Sequence, residues 1–164
     1  MAGASFKMDF SRANNVLGNA VTRISNRQVL SETLGEQLVS STLERFEDEK
    51  GPDGKDWKKS RRAEDEGGQT LSDKGHLKGS INYEASPVAV AVGTTDKVKG
   101  AIHQLGGDIK PKKGKALKFK TGTGFAIVKK VTMPARPYLG INEEDIEEAK
   151  ETIGLFIQKG LGVK

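Results

Sequence analysis

Met133-Pro-Ala-Arg-Pro-Tyr-Leu-Gly140 constrains the fold of this chain more than any other stretch. Pro134 and Pro137 fix their own φ angles and push Met133 and Arg136 towards extended geometry. The segment must therefore cross between elements without helical or ladder hydrogen bonds. Ile141-Asn142 then opens a helix. The Asn142 side chain is suited to accept a first-turn N–H, and Glu143, Glu144 and Asp145 sit where the helix dipole favours negative charge. A stop and a start stand side by side.

Upstream, Ala101-Ile-His-Gln-Leu-Gly-Gly107 reads as the end of a short amphipathic helix closed by Gly106 and Gly107. Val98, Ala101, Ile102 and Leu105 are its expected inner stripe. His103 and Gln104 read as a structural pair, because an amide offers a donor and an acceptor but no useful proton transfer. They are expected to tie backbone groups near the two glycines.

Earlier in the chain, Phe10, Ala13, Leu17, Ala20, Val21 and Ile24 recur at helical spacing. A second helix carries Leu34, Leu38, Thr42 and Phe46 and stops at Gly51-Pro52, with Ser25-Asn26-Arg27 as the break between the two. Residues 51–70 are polar and glycine-bearing and read as a long loop around the sole tryptophan, Trp57. That residue either pins the loop to the domain's own core or anchors a neighbouring subunit. Ser72 and Asp73 are placed to cap a brief helix through Lys78. Ile81, Tyr83 and Ala85 alternate as a strand, and so does Val88-Ala-Val-Ala-Val92. Leu117 and Phe119 are expected to face Phe125 and Ile127 across Thr121-Gly-Thr-Gly124, the second arm running on through Val131 into the proline segment. The last helix places Ile146, Ala149, Ile153, Phe156 and Ile157 on one stripe, expected to dock against the sheet.

This order predicts an α+β fold: a mainly antiparallel sheet of about four strands, packed with N-terminal helices and a C-terminal helix and carrying long mobile loops. One domain over residues 1–164 is expected, with an N-terminal helical region over 1–50, a polar loop over 51–70, and the sheet, basic hairpin and last helix in 71–164. Only 35% of the residues are hydrophobic and 30% are charged, which suits a thin domain or one whose remaining apolar area is covered by partners. The chain has no cysteine, so disulfides and thiolate chemistry are excluded and a reducing cytoplasm is a suitable place of assembly. No apolar run is long enough to cross a bilayer and the N-terminus lacks a signal-peptide pattern, so no membrane association is expected.

The net charge of +5 is divided into blocks. Lys110, Lys112, Lys113, Lys115, Lys118 and Lys120 crowd one stretch without an acid, whereas residues 143–151 hold six acids and only Lys150. His76 and His103 are the only histidines, and no nucleophile elbow, Walker-type loop or His-Glu-x-x-His pair is present. The acidic run matches no calcium loop. No catalytic residue, metal or cofactor is therefore expected.

Taken together, the Ile102-His103-Gln104 box with Gly106 and Gly107, the basic insertion, and the strand into Pro134-Ala-Arg-Pro137-Tyr-Leu-Gly with its acidic helix resemble the phage virion morphogenesis family. These are the tail-completion proteins of Mu-like and related tailed phages. The likeness runs from about Leu43 to Leu161, with Gly51-Pro-Asp-Gly-Lys-Asp-Trp57 and Leu71-Ser-Asp-Lys-Gly-His-Leu77 as weaker members of the pattern. Leu105 stands where the box more often has an aromatic, and Tyr138 where phenylalanine is usual.

The resemblance implies a structural virion protein and not an enzyme. It implies a homo-oligomeric, hexameric ring at the head-proximal end of the tail, in the neck, touching the tail tube protein and a head-completion or connector protein. In such a ring Glu143, Glu144 and Glu147 are candidate contacts to a subunit or partner, as are Trp57 and Arg136, although Arg136 also suits a role inside its own domain. The six lysines are candidates for facing DNA in the lumen, against the alternative of a solvated hairpin flank. Read from charge alone, with a sequence pI near 9.3, the chain has a second reading as a basic nucleic-acid-binding module.

Overall fold

The computed structural model describes residues 11–112, 114–121 and 124–161. Phe10, Lys113, Gly122, Thr123 and the side chains of Ala13, Ile24 and Lys120, all of which carry expectations above, lie outside that description. Helices α1 (Ser11–Ser25) and α2 (Arg27–Asp48) meet at Asn26, whose φ of −82° and ψ of 61° leave helical geometry at the expected break. Helix α2 ends on Glu49 in the left-handed conformation. The chain then folds back on itself: Trp57 N–H donates to the Glu49 carbonyl at 2.7 Å, and Lys50 bridges Asp56.

Residues 51–70 are expected to form a long loop, and here the structure differs. Ser60 caps a short helix, α3 (Arg61–Glu66), by accepting the Ala63 N–H at 3.2 Å, and Arg62 donates to the Gln69 carbonyl at 2.6 Å. Thr70 is fully buried and donates its N–H to Glu49. Local capping chemistry thus closes a segment whose polarity suggests solvation. The helix expected from Ser72 to Lys78 does not form. Leu71 and Gly75 take positive φ values of 65° and 71°, and only a single 3₁₀ turn, Lys78–Ser80, remains.

Strands β1 (Ile81–Ser86) and β2 (Ala89–Thr94) form an antiparallel hairpin with Ile81 opposite Thr94. Val90 and Val92 are half-buried as the alternation predicts, but Val88 falls in the turn and is exposed. Helix α4 (Lys97–Leu105) follows, capped by Asp96, which accepts the Lys99 N–H at 3.0 Å. Strand β3 (Gly107–Ile109) pairs with β6 (Val131–Met133), and β4 (Leu117–Thr121) with β5 (Gly124–Val128), all antiparallel.

The class is α+β as expected, but the single sheet of about four strands is replaced by three separate two-stranded ladders. Strand alternation reports which residues lie on one face and says nothing about which strand is the neighbour. The β3–β6 ladder is three residues long because the proline segment that follows cannot continue it. The β4–β5 register also differs from the expectation. Thr121 pairs with Gly124, so two residues connect the strands and Phe119 stands opposite Ala126, with Leu117 opposite Val128. Phe125 and Ile127 therefore share a face with Lys118, not with Leu117 and Phe119. The second arm does not run unbroken into Val131 either; β5 ends at Val128.

Helix α5 (Glu143–Leu161) lies along α1 and α2 rather than against the sheet. Gln37 of α2 donates to Glu148 at 3.1 Å and to the Thr152 hydroxyl at 2.8 Å, which fixes the pair laterally. The core sits at the C-terminal end of α2, where Phe46 meets Trp57 edge-on at 5.5 Å between ring centroids and Tyr138 at 5.3 Å. Leu77 completes this buried cluster, with Leu71, Ile81 and Leu139 packed around it. Each member comes from a different segment, so burial here joins α2, the 51–70 region and the proline segment in one step.

Candidate functional site

The two motifs that stand out in the sequence form one clasp. The Gln104 amide oxygen accepts the N–H groups of both Tyr138 and Leu139 at 3.0 Å, and its amide nitrogen donates to the Leu139 carbonyl at 2.9 Å. Gln104 thus ties the proline segment, not the backbone around Gly106 and Gly107 as expected. The His103 carbonyl accepts the Arg136 N–H at 2.7 Å. Gly106, at φ +70°, permits the contact: a Cβ there would stand 2.7 Å from the Ala135 nitrogen.

These bonds also rotate α4 away from its expected orientation. Val98 and Leu105 are 80% and 77% exposed, while Gly100 is buried and Ile102, His103 and Gln104 are half-buried. A polar clamp and the close approach of Gly100, where a Cβ would stand 3.0 Å from the Tyr138 hydroxyl, outweigh the apolar stripe.

Arg136 is 3% exposed and serves its own domain, donating through Nε to the Lys58 carbonyl at 2.6 Å and through Nη2 to the Lys59 carbonyl at 3.2 Å. Trp57 is buried as well and donates its indole N–H to the Pro137 carbonyl at 2.8 Å. Both of these candidates for an intersubunit contact are therefore internal struts, and they meet the domain at the irregular segment that Pro134 and Pro137 stiffen.

A pairing that sequence reading missed sets the angle of the last helix. Arg45 and Asp145 pair at 2.5 Å with side chains 7% and 3% exposed. Arg45 also donates to the Gly140 and Tyr138 carbonyls at 2.8 and 3.2 Å. Asp145 exchanges bonds with Asn142: the Asp145 N–H donates to the Asn142 side chain at 2.7 Å, and the Asn142 N–H returns a bond to the carboxylate at 2.8 Å. The expected cap is thus present in reciprocal form. The available signal was Arg45 itself, a charge three residues after Thr42 on the inner stripe of α2.

The Tyr138 hydroxyl is buried without a hydrogen-bond partner. Tyr138→Phe is accordingly expected to raise stability by about 0.5–2 kcal/mol, since it removes a desolvated hydroxyl and keeps the ring. A lower melting temperature on calorimetry would contradict this. Burial and the nearby Arg136 guanidinium hold the half-buried His103 imidazole below its ordinary value of 6.5. Above that value both folded and unfolded chains carry a neutral His103 and the shift has no effect. As the pH falls through it, the unfolded chain takes the proton first, so stability declines on acidification and levels off below the depressed folded value. Chemical denaturation across this range is expected to show that decline, and His103→Gln is expected to reduce it.

Outside the clasp, the surface is sorted by character. Glu143, Glu144 and Glu147 are exposed on the first turns of α5, and Glu147 holds Lys150 at 2.6 Å. Lys110, Lys112, Lys115 and Lys118 are exposed on the insertion and hairpin, with Lys118 Nζ 4.6 Å from the Phe125 ring centroid. Val16, Leu17 and Val21 on α1 and Ile146, Ile153 and Leu155 on α5 are also exposed. A cavity of about 830 Å³ lies beside Lys58, Arg62, His76, Lys99, His103 and Arg136. Among the described residues, no group of three or more metal-ligating side chains is brought together, and no helix is long and apolar enough to cross a membrane.

An internal clasp thus fixes the proline segment, while large apolar and charged side chains elsewhere stay exposed. The chain belongs to the phage virion morphogenesis family, whose model matches residues 8–157. The match begins well before Leu43, so the two N-terminal helices are within the family pattern and not an addition to it. Membership indicates a virion-associated protein with a structural rather than a catalytic role. Comparison with curated proteins and with solved structures finds no match.

Proposed function

We propose that this protein completes the phage tail at its head-proximal end and takes part in joining tail to head, acting as a homo-oligomeric ring. The observation that carries the reading is the uncovered apolar surface: large side chains on α1, α5 and the β4–β5 hairpin stay exposed in a single copy. Soluble monomers rarely leave extended apolar patches in water, and such patches mark sites of assembly. Family membership supplies the setting, and the separated acidic and basic faces suit a heterologous contact in which each subunit uses two different patches. The tail tube protein and a head-completion or connector protein are the partners this position requires.

Particles made without this chain are expected to accumulate as separate heads and tails under the electron microscope. Normal yields of joined particles would overturn the proposal. Charge reversal of Glu143, Glu144 and Glu147 to lysine is expected to leave the fold intact, because all three are exposed, and to abolish joining. Unaltered particle assembly would count against a role for the acidic face. The second reading, a basic nucleic-acid-binding module, rests on exposed Lys110, Lys112 and Lys115. It requires salt-sensitive DNA binding by the isolated chain.

A further inference from the structure

A buried ion in a protein is normally balanced by an opposite charge, because a lone one is costly to desolvate. Arg136 departs from that rule. It is 3% exposed, its Nε and Nη2 donate only to the neutral Lys58 and Lys59 carbonyls, and its Nη1 is buried without a hydrogen-bond partner. The exposed Glu64 carboxylate is near enough to favour the charge, yet it forms no ion pair with Arg136 among those described. The chain's own fold leaves this guanidinium without a counter-ion.

Arg136 lines the cavity of about 830 Å³ together with His103, whose Nδ1 is likewise buried and unpartnered. Seven lysines and arginines and three acids make up the charged lining. Arg61 meets Asp65 at 3.6 Å and Arg62 meets Asp73 at 3.8 Å, so two of the acids are taken up locally. Lys99 holds Asp96 at 3.2 Å. Lys58, Lys59 and Lys74 remain exposed beside Arg136, opposed by Glu64 alone. The recess is therefore net positive, with a cation buried within it, and its complement is an anion.

The same chain exposes such a group. Residues 143–151 hold six acids and one lysine. Asp145 is neutralised by Arg45, Glu147 holds Lys150 and Glu148 accepts from Gln37, but Glu143 and Glu144 are exposed and enter none of the described ion pairs or side-chain hydrogen bonds. We propose that the cavity beside Arg136 in one copy receives the Glu143–Glu144 turn of α5 from the next, a carboxylate facing Arg136 between Lys58 and Lys74. The inference rests on the ring reading above and goes beyond it by naming the two surfaces that meet. Each copy gives an acidic turn and accepts one at a different place, which is the head-to-tail arrangement that closes into a ring. Opposed charges set the register and disfavour turn on turn or cavity on cavity. DNA fits less well: a duplex brings closely spaced phosphates, which would also meet Glu64, Asp65 and Asp73, whereas a single helical turn can bring one carboxylate to the recess.

A carbodiimide joins a carboxylate to a lysine amine only where the two already touch, so it reports this contact directly. Particles assembled from a mixture of unlabelled and heavy-isotope-labelled full chains are treated with it and digested for mass spectrometry. Links from Glu143 or Glu144 to Lys58, Lys59 or Lys74 are expected, and they should pair labelled with unlabelled peptides. If a long lysine-to-lysine reagent reveals multimers but these links are absent, or run to Lys110, Lys112, Lys115 or Lys118 instead, the cavity contact is wrong and the ring stands. If neither reagent joins copies, the ring reading fails and the docking with it. Links confined to peptides of one label would show that the turn fills the cavity of its own copy and would also overturn the proposal. Charge exchange gives an independent test at exposed positions. Lys58→Glu with Lys74→Glu is expected to cut multimer yield by about tenfold or more, and adding Glu143→Lys with Glu144→Lys to the same chain is expected to restore most of it. An unchanged yield in the first variant, or no recovery in the second, would overturn the docking. Loss of salt-sensitive DNA binding by the isolated Lys58→Glu, Lys74→Glu chain, with multimer yield intact, would assign the cavity to phosphates instead.

Discussion

Asp145→Ala is expected to lower the unfolding free energy by about 3–5 kcal/mol, the cost of leaving a buried guanidinium without its carboxylate. Arg45 would keep its bonds to the Tyr138 and Gly140 carbonyls, but those neutral acceptors do not balance a charge whose side chain is 7% exposed. The same substitution removes the carboxylate half of the reciprocal cap with Asn142 and the acceptor of the Ser41 hydroxyl. The effect therefore reaches beyond one pair: α2, the end of the proline segment and the start of α5 all lose their common anchor. Denaturant unfolding of the single variants and of the double variant Arg45→Met with Asp145→Ala measures this directly. The double variant is expected to cost clearly less than the two singles added, because it leaves no buried charge unpaired. A loss under about 1 kcal/mol for Asp145→Ala would show that water reaches the site and that the pair is not the anchor.

Gln104→Leu is expected to cost roughly 2–4 kcal/mol, since each buried backbone group left without a partner costs about 1–3 kcal/mol and water can reach half-buried Leu139 to some extent. Leucine keeps the volume of the side chain but supplies neither the acceptor shared by the Tyr138 and Leu139 N–H groups nor the donor to the Leu139 carbonyl. Gln104→Glu is the informative second substitution. It retains the acceptor for the two N–H groups and brings a carboxylate oxygen up to a carbonyl, so it is expected to fall between wild type and the leucine variant. Equal stability of the wild type and Gln104→Leu in thermal and denaturant unfolding would show that the proline segment holds its course without the amide. Because α5 leaves directly from this segment, both substitutions should impair particle assembly more than their loss of folded population explains.

Several elements were legible from residues alone, and they share a cause. The break at Asn26, the stop at Gly51-Pro52 and the Asn142 cap each depend on dihedral preference or on a hydrogen bond that spans a few residues. The cap on α3 has the same origin, since Ser60 and Ala63 are three residues apart, and a closer reading of Ser60-Arg-Arg-Ala-Glu64 would have found it. Where local signals failed, a partner distant in sequence had outweighed them. Helix α4 presents its polar side inward because Gln104 finds the backbone of residues 138 and 139, so Val98 and Leu105 face water. The β4–β5 register turned on how many of residues 121–124 make the turn, a choice that alternation cannot report.

The class of fold, the family and the separation of charge into acidic and basic blocks follow from the order of residues, because composition and motif spacing are properties of the chain itself. The roles of Trp57 and Arg136, the pairing of Arg45 with Asp145, and the splitting of the strands into three ladders are set by packing. Their energies come from contacts between residues as much as 100 positions apart, as in the Arg45–Asp145 bond. Such contacts form only when the whole chain closes around one core, and a window of neighbouring residues carries no record of them.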